Sequence, residues 1–444
     1  MENKIVIVGG VGGGATVSAQ IRRMDPESEI ILFDKGEHIA FSNCGMPYYI
    51  GGIVKERDDL LRDSNDFAEK YNVNLKINSE VVQINRDKKE VTYRANNHDH
   101  QESYDTLILA PGAHALVPDL HGLNEEVTFT LHTIPDMDAI HSFITQNKPK
   151  TCAIVGAGFI GLEMVENLRE LGIDCTLIDR SKQVMKLVDP DMSGTIQEHL
   201  KEKGVNLILN NGIESFTDAG KTLQLSSGDS VQADMTILAV GIKPNTKLAS
   251  EANLQVGETG AIAVNEYMQT NDTSIFALGD AVETPDYLTK TPRHVALAWP
   301  AHRQAFIIAS FLQGKKIPYE GTLGSAIFKV FDLSVAVTGH NAASLDQLGI
   351  DYQGVTHEAL SHAGYYPGAE KVSIKVLFDK NNGEVLGAQV IGEDGVDKRL
   401  AVLAIAIKGR LSVTELAELE LAYSPPYSSP KDPINIIGYK AMSL

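Results

Sequence analysis

Short apolar runs bounded by glycine or charge recur along the chain, and two of them open the same longer pattern. Ile5-Val6-Ile7-Val8 follows Lys4 and runs into Gly9-Gly10-Val11-Gly12-Gly13-Gly14. The period then becomes helical through Ala15-Thr16-Val17-Ser18-Ala19-Gln20-Ile21-Arg22-Arg23, and a second buried strand, Ile30-Ile31-Leu32-Phe33, ends at Asp34. A second copy starts with the strand Thr151-Cys152-Ala153-Ile154-Val155. It continues through Gly156-Ala157-Gly158-Phe159-Ile160-Gly161, a helix from Leu162 to Leu171, and the strand Cys175-Thr176-Leu177-Ile178-Asp179. Small-residue strands close both units, Tyr104 to Gly112 in the first and Ala233 to Gly241 in the second. Ser274 to Ala281 then forms a buried strand ending in Gly279-Asp280, with a helix expected soon after.

From Gly324 the texture becomes that of antiparallel strands. They are expected at Ala326 to Val330, Val335 to Thr338, Val372 to Leu377 and Val385 to Gly392, joined by turns such as Lys380-Asn381-Asn382-Gly383. Helices are expected at Gly395 to Lys408 and Val413 to Leu419. Prolines keep the tail Ala422 to Pro433 extended. The fold class is therefore α/β: two Rossmann-like nucleotide-binding domains and a C-terminal α+β domain.

Glycines in such a loop permit a tight turn and let the backbone approach a pyrophosphate at the helix N-terminus. Asp34 lies about 20 residues beyond Gly14, the spacing at which a carboxylate accepts from ribose hydroxyls. The first loop departs from GxGxxG, since Val11 takes the middle position, whereas the second is complete. Two βαβ units imply two bound nucleotides. Asp179 suits an unmodified ribose and Arg180 could pair a 2′-phosphate, so the expected coenzyme is NADH or both NADH and NADPH. Asp280 would reach a polyol chain or phosphate region; the competing reading is a helix-cap or turn aspartate.

The 444 residues exceed one core and suggest three domains. A net charge of −19 argues against nucleic acid and anionic membrane as partners. No apolar run reaches membrane-spanning length, and the strand at Ile5 leaves no signal peptide, so a reducing, cytoplasmic setting is expected. The three cysteines show neither disulfide-framework nor zinc spacing. Cys152 and Cys175 lie in strands and read as packing residues. Cys44 differs, because Phe41-Ser42-Asn43-Cys44-Gly45-Met46-Pro47-Tyr48-Tyr49 places it just ahead of a short helix that Pro47 would open. A helix N-terminus favours thiolate over a thiol whose ordinary pKa is about 8.5. The competing reading is a buried, inert thiol.

Taken in order, glycine loop, lone-cysteine motif, second Rossmann unit, Gly-Asp motif and α+β domain, the chain resembles the FAD-dependent pyridine nucleotide–disulfide reductases throughout. Ser42-Asn43-Cys44-Gly45-Met46-Pro47-Tyr48, Tyr365-Tyr366-Pro367-Gly368 and Tyr423-Ser424-Pro425-Pro426-Tyr427 through Lys431-Asp432 resemble its single-cysteine branch, the coenzyme A disulfide reductases. The resemblance implies FAD, NADH or NADPH, and a mixed disulfide between Cys44 and coenzyme A (CoA) that forms as CoA disulfide is reduced. It implies a discontinuous FAD domain (1–118 and 247–321), an NAD(P)H domain (119–246) and a dimerisation domain (322–444). Nucleotide contacts would come from Gly9, Gly10, Gly12, Gly14, Asp34, Lys35, Ala110, Gly112, Asp280 and Ala298, and from Gly156, Gly158, Gly161, Asp179, Arg180 and Gly241.

Carried over by motif position, Thr16, Gln20, Arg23, Asn43, Lys70, Arg303 and Lys431 would contact CoA. Arg22 is a weaker candidate, since arginine near a helix C-terminus is favourable for its own sake. The resemblance also implies a homodimer in which Tyr365 and Tyr423 reach the partner's CoA sulfur, with Tyr366 and Tyr427 as competitors. Three other readings stand beside it. An NADH oxidase or peroxidase would cycle Cys44 through sulfenic acid, but such enzymes carry a histidine in the first glycine loop, where this chain has Gly12. A CoA-persulfide reductase and a flavoprotein that only delivers electrons to a partner are the others.

Overall fold

The structure is a computed structural model that describes residues 3–444. The chain forms two compact units, one built from the residues up to Ala115 with His132–Pro135 and Ile242–Thr322, the other from Leu116–Leu131, Asp136–Gly241 and Leu323–Leu444. No helix among the described residues is long and apolar enough to cross a membrane.

The first unit centres on a five-stranded parallel sheet in the order Ile275–Ala277, Thr106–Leu109, Lys4–Val8, Glu29–Phe33, Asn74–Lys76. Ile5, Ile7, Ile30 and Leu32 point to one face, where the helices Gly12–Met24 and Ala298–Leu312 cover them. Val6, Val8, Ile31 and Phe33 point to the other, against Val81, Ile84 and Val91 of an antiparallel three-stranded layer. Burial on both faces explains the unbroken apolar runs. Each such side chain contributes on the order of 1.5–3 kcal/mol by leaving water. Lys4–Val8 is the middle strand, so Gly9 emerges between the ends of its two neighbours. Asp34 stands on one side and Ala110 on the other.

The helix expected soon after Asp280 is not there. Asp280 lies in a single 3₁₀ turn, Gly279–Ala281, followed by the strand Val282–Pro285 paired to Ile262–Ala263. Val282 and Thr284 are β-branched and buried, which favours a strand. The helix begins only at Ala298.

In the second unit a parallel sheet runs Asn206–Ile208, Asp174–Ile178, Thr151–Val155, Met235–Leu238, Thr128–Phe129. The same unit contains an antiparallel sheet ordered Ala326–Val330, Leu333–Gly339, Val385–Gly392, Lys371–Asp379, Tyr352–Leu360. Its central strand, Val385–Gly392, is buried at every position. The edge strand Tyr352–Leu360 was not foreseen, and only Val355 in it is buried, so its sequence carries almost no apolar signal. Lys375 clamps the two sheets' supporting elements together, with Nζ 2.9 Å from Asp189 Oδ2 and 2.7 Å from Asp191 Oδ1.

Candidate active site

The two glycine turns are wired identically. The Gly9 N–H donates to Phe33 O and the Gly156 N–H to Ile178 O, both at 2.8 Å. A Cβ on Gly14 would stand 1.7 Å from Gly9 O, and one on Gly161 would stand 1.9 Å from Gly156 O. These glycines let helix meet strand. Gly12 and Gly158 are different, since a Cβ there would meet nothing within 4 Å, and that open space beside a helix N-terminus suits a nucleotide's phosphates. Gly112 is open in the same way, while Gly241 turns with φ +116 beside Leu116.

Asp34 Oδ2 accepts the Gly10 N–H at 2.6 Å and Oδ1 the Gly36 N–H at 2.7 Å. Burial raises its pKa and those two N–H groups oppose the rise. Asp179 repeats the arrangement, with Oδ2 accepting from Ala157 N at 2.7 Å and Oδ1 from Ser181 N at 2.7 Å. Both carboxylates thus brace their glycine turns and keep remaining lone pairs for a ribose. Lys35 and Ala298 are exposed, and Ala110 is half-buried beside Gly9. Burial also raises the pKa of Asp280, which His294 and His132 counter. Its turn is fixed by the buried Gln304, whose Oε1 accepts the Gly279 N–H at 2.8 Å.

Cys44 is exposed in the 3₁₀ turn Asn43–Gly45. Met46 rather than Pro47 opens the following helix, which has only five residues. So few aligned peptides build little dipole, so exposure, rather than a helix field, is what makes this thiol available. The segment is tethered to the first glycine turn four residues earlier, where the Ala40 N–H donates to Gly10 O at 2.9 Å. Ala40 adopts φ +50, an uncommon conformation for alanine that tends to occur at functional sites. Gly45 is required, because a Cβ there would sit 2.2 Å from Leu60 Cδ2. Cys152 and Cys175 are buried opposite one another on paired strands. Burial raises both thiols, Cys175 to about 12.

Thr16, Gln20 and Arg23 recur at helical spacing and share one face of Gly12–Met24. Arg23 lies with Cζ 5.5 Å from the Tyr71 ring, and Lys70 Nζ lies 5.5 Å from the same ring, so the two cations converge. Arg22 is committed elsewhere, its guanidinium donating to the carbonyls of Tyr71, Asp25, Pro26, Ser28 and Asn72. Arg303 stacks 5.2 Å over Phe306. The residue before it was overlooked in the sequence: His302 Nδ1 is 3.1 Å from Thr16 Oγ1, on the same face as Gln20 and Arg23. Asn43 is exposed beside Cys44.

In the second unit the Tyr365 and Tyr423 hydroxyls meet at 3.2 Å. The hydrogen bond that Tyr423 shares with Tyr365 raises the pKa of Tyr423. Tyr366 instead packs edge-on against His362, and Tyr427 stands exposed. A buried ion pair holds the tyrosines' two segments. Arg399 donates to Asp432 Oδ2 at 3.0 Å and to Ser361 O at 2.9 Å, and Ser428 Oγ donates to Asp432 Oδ2 at 2.6 Å. Lys431 is exposed, next to that pair, with Nζ 5.4 Å from the Tyr439 ring. Glu163, just past Gly161, is pushed up to about 7 by burial and by Glu166.

Residues 3–305 match the pyridine nucleotide-disulphide oxidoreductase model, and 325–432 match the dimerisation domain of the same family. The chain belongs to the pyridine nucleotide-disulphide oxidoreductases. Within that family it is 43% identical to a coenzyme A disulfide reductase of Staphylococcus haemolyticus, covering 99% of this chain and 100% of that one. The crystal structure of reduced Bacillus anthracis CoADR-RHD superimposes with TM-score 0.98 at 46% identity, covering 100% of this chain and 80% of the other. An NAD-dependent persulfide reductase from A. fulgidus gives 0.97 at 34% identity, over 99% and 83% of the two chains. A water-forming NADH oxidase from Lactobacillus brevis, bound to NADH, gives 0.95 at 28% identity, over 100% and 98%. Its engineered NADPH-bound form matches equally well, at the same TM-score and identity, over 99% and 98%.

Proposed function

We propose that this oxidoreductase uses FAD and NAD(P)H to reduce CoA disulfide to two CoA thiols, working as a homodimer. The observation that carries this reading is the exposed Cys44, tethered to a nucleotide-type glycine turn, while both other cysteines are sealed in a strand pair. A single accessible thiol must take its partner sulfur from the substrate.

In the first step the Cys44 thiolate attacks one sulfur of CoA disulfide. A Cys44–S–S–CoA bond forms, the substrate S–S bond breaks, and one CoA leaves as thiolate. Bound FAD and NAD(P)H supply the electron pair that cleaves the mixed disulfide. Cys44 then returns to thiolate and the second CoA departs, taking its proton from a phenol. Tyr423, hydrogen-bonded to Tyr365, supplies that proton in the partner subunit's site. Thr16, Gln20, Arg23, His302, Asn43, Lys70 and Arg303 bind CoA, with Lys431 reaching from the dimerisation domain. The cations meet phosphates against the chain's acidic balance. The 1–118 and 247–321 segments would hold FAD, and 119–246 would hold NAD(P)H. The cytoplasm is the compartment that keeps such thiols reduced.

Anaerobic reduction of the purified protein by NADH is expected to release about one CoA thiol per subunit. Mass spectrometry before reduction should find CoA on Cys44, and protein that neither carries nor releases CoA would contradict the mechanism. Tyr423→Phe is expected to slow turnover with CoA disulfide about a hundredfold, the lower end for a lost general acid because Tyr365 remains. Unchanged turnover would remove the tyrosine from catalysis.

A further inference from the structure

We infer that His362 is a positioning residue for the two phenols: its imidazole holds closed the loop that carries Tyr365, and so fixes the Tyr365–Tyr423 hydroxyl pair. This deepens the proposed CoA chemistry and rests on that reading.

The loop, residues 361–370, joins the paired strands Tyr352–Leu360 and Lys371–Asp379. It is long for a hairpin connection, which usually takes about two to five residues. Its mouth is tied by the Ser361 N–H on Glu370 O at 2.7 Å and by the Glu370 N–H on Ser361 Oγ at 3.2 Å. Beyond the mouth, Gly364 to Gly368 are all exposed, so no apolar burial orders them, and Tyr365 among them is 76% exposed.

His362 lies inside this loop and is buried. Its Nε2 is 3.3 Å from Pro367 O on the far side, and its Nδ1 is 3.0 Å from Ser361 Oγ. A carbonyl oxygen can only accept, so Nε2 donates to Pro367. One run of hydrogen bonds therefore passes from Glu370 through Ser361 and the ring to Pro367. Tyr366 packs edge-on against the same ring, with centroids 5.7 Å apart. The next residue reaches the second tyrosine's segment: the Ala363 N–H donates to Pro425 O at 3.3 Å, two residues past Tyr423, and Ala363 O accepts the Tyr366 N–H at 2.9 Å. A shift of the imidazole moves both sides of the 3.2 Å hydroxyl contact.

Two other roles do not suit the ring. An imidazole that exchanges protons with substrate needs an open nitrogen, and both of these are engaged within the chain. Asp394 Oδ2 stands 3.6 Å from Nδ1, too far for a hydrogen bond. A histidine that merely fills a core would pack among apolar side chains, whereas this one bridges a serine hydroxyl and a carbonyl under an exposed loop. Arg399 anchors Ser361 O at the mouth, and the far side depends on His362.

The test uses the FAD-loaded chain and the variants His362→Leu and His362→Gln. A glutamine amide can still donate to Pro367 O, and leucine cannot. His362→Leu is expected to lower kcat for CoA disulfide about five- to tenfold, as for a lost neutral hydrogen bond, with KM for NADH and reduction of a small dye unchanged. His362→Gln should recover all but about twofold of that loss. In a Tyr365→Phe, Tyr423→Phe background the leucine change should cost less than about twofold, because a residue that acts through the phenols has nothing left to act on. Without CoA, amide hydrogen exchange over residues 361–370 and 423–428 should quicken in the leucine variant and return toward wild type in the glutamine variant. Loss of dye reduction in step with kcat, an undiminished cost in the phenylalanine background, or exchange equal to wild type overturns the inference. A wild type that turns over no CoA disulfide defeats the function proposed above, while exchange over residues 361–370 still decides the role of His362.

Discussion

Cys44→Ser is expected to lose CoA-disulfide turnover by at least about a thousandfold, because a serine hydroxyl cannot form the mixed disulfide. Binding should survive. The glycine turns, Asp34 and Asp280 stay in place, so the variant should purify yellow with FAD and still pass electrons from NAD(P)H to a small dye. That split matters, because a general folding defect would remove dye reduction too. Mass spectrometry should show no CoA adduct on the variant. Full activity would return Cys44 to the status of an incidental surface thiol and favour a flavoprotein that serves another partner. A variant that keeps oxygen reduction while losing CoA chemistry would separate any oxidase activity from the thiol.

Asp432→Ala is expected to cost about 3–5 kcal/mol of stability in the dimerisation domain, since it leaves the buried Arg399 guanidinium unpaired. It also removes the cap of the Pro433–Ala441 helix, where Asp432 Oδ1 accepts the Ile434 N–H at 3.0 Å, worth about a further 1 kcal/mol. Chemical denaturation followed by circular dichroism would read the loss, and a midpoint equal to wild type would refute it. Replacing both partners by apolar residues should recover much of the stability. It should not recover CoA turnover, because Ser361 and Ser428 would no longer be tied together and the Tyr365–Tyr423 contact would loosen. Burial alone would raise the Asp432 pKa, but the Arg399 charge, the Ile434 N–H and the Ser428 hydroxyl outweigh it and hold it below the usual carboxylate value. With the folded pKa depressed, the pair's contribution is fully present above about pH 4, the unfolded value, and is lost as pH falls through the lower folded one.

Gly9, Gly14, Gly156 and Gly161 could be placed from sequence because the backbone itself requires them, and the same requirement fixed Asp34 and Asp179 at the neighbouring strand ends. Cys44 stood out by its isolation. Contacts made at a distance in sequence were harder to see. His302 gains meaning only when the Ala298–Leu312 helix is laid along Gly12–Met24, and Arg22 and Arg23 look alike until one guanidinium is found inside a ring of carbonyls. Arg399 reads as one more charge on a helix, and its burial shows only once Asp432 arrives from the tail. The strand at Tyr352–Leu360 escaped because an edge strand facing solvent needs few apolar residues. The turn after Asp280 escaped because Gly-Asp before a helix and Gly-Asp before a strand share one signature.

The strand pair that hides Cys152 and Cys175 also makes the protein its own reporter. A thiol-specific label applied to the native, CoA-free chain should add one mass increment, at Cys44, and stop. Two further increments can appear only when Thr151–Val155 and Asp174–Ile178 open to solvent. A timed pulse of label therefore counts, molecule by molecule, how much of this parallel sheet has come apart, with no dye, tag or engineered residue.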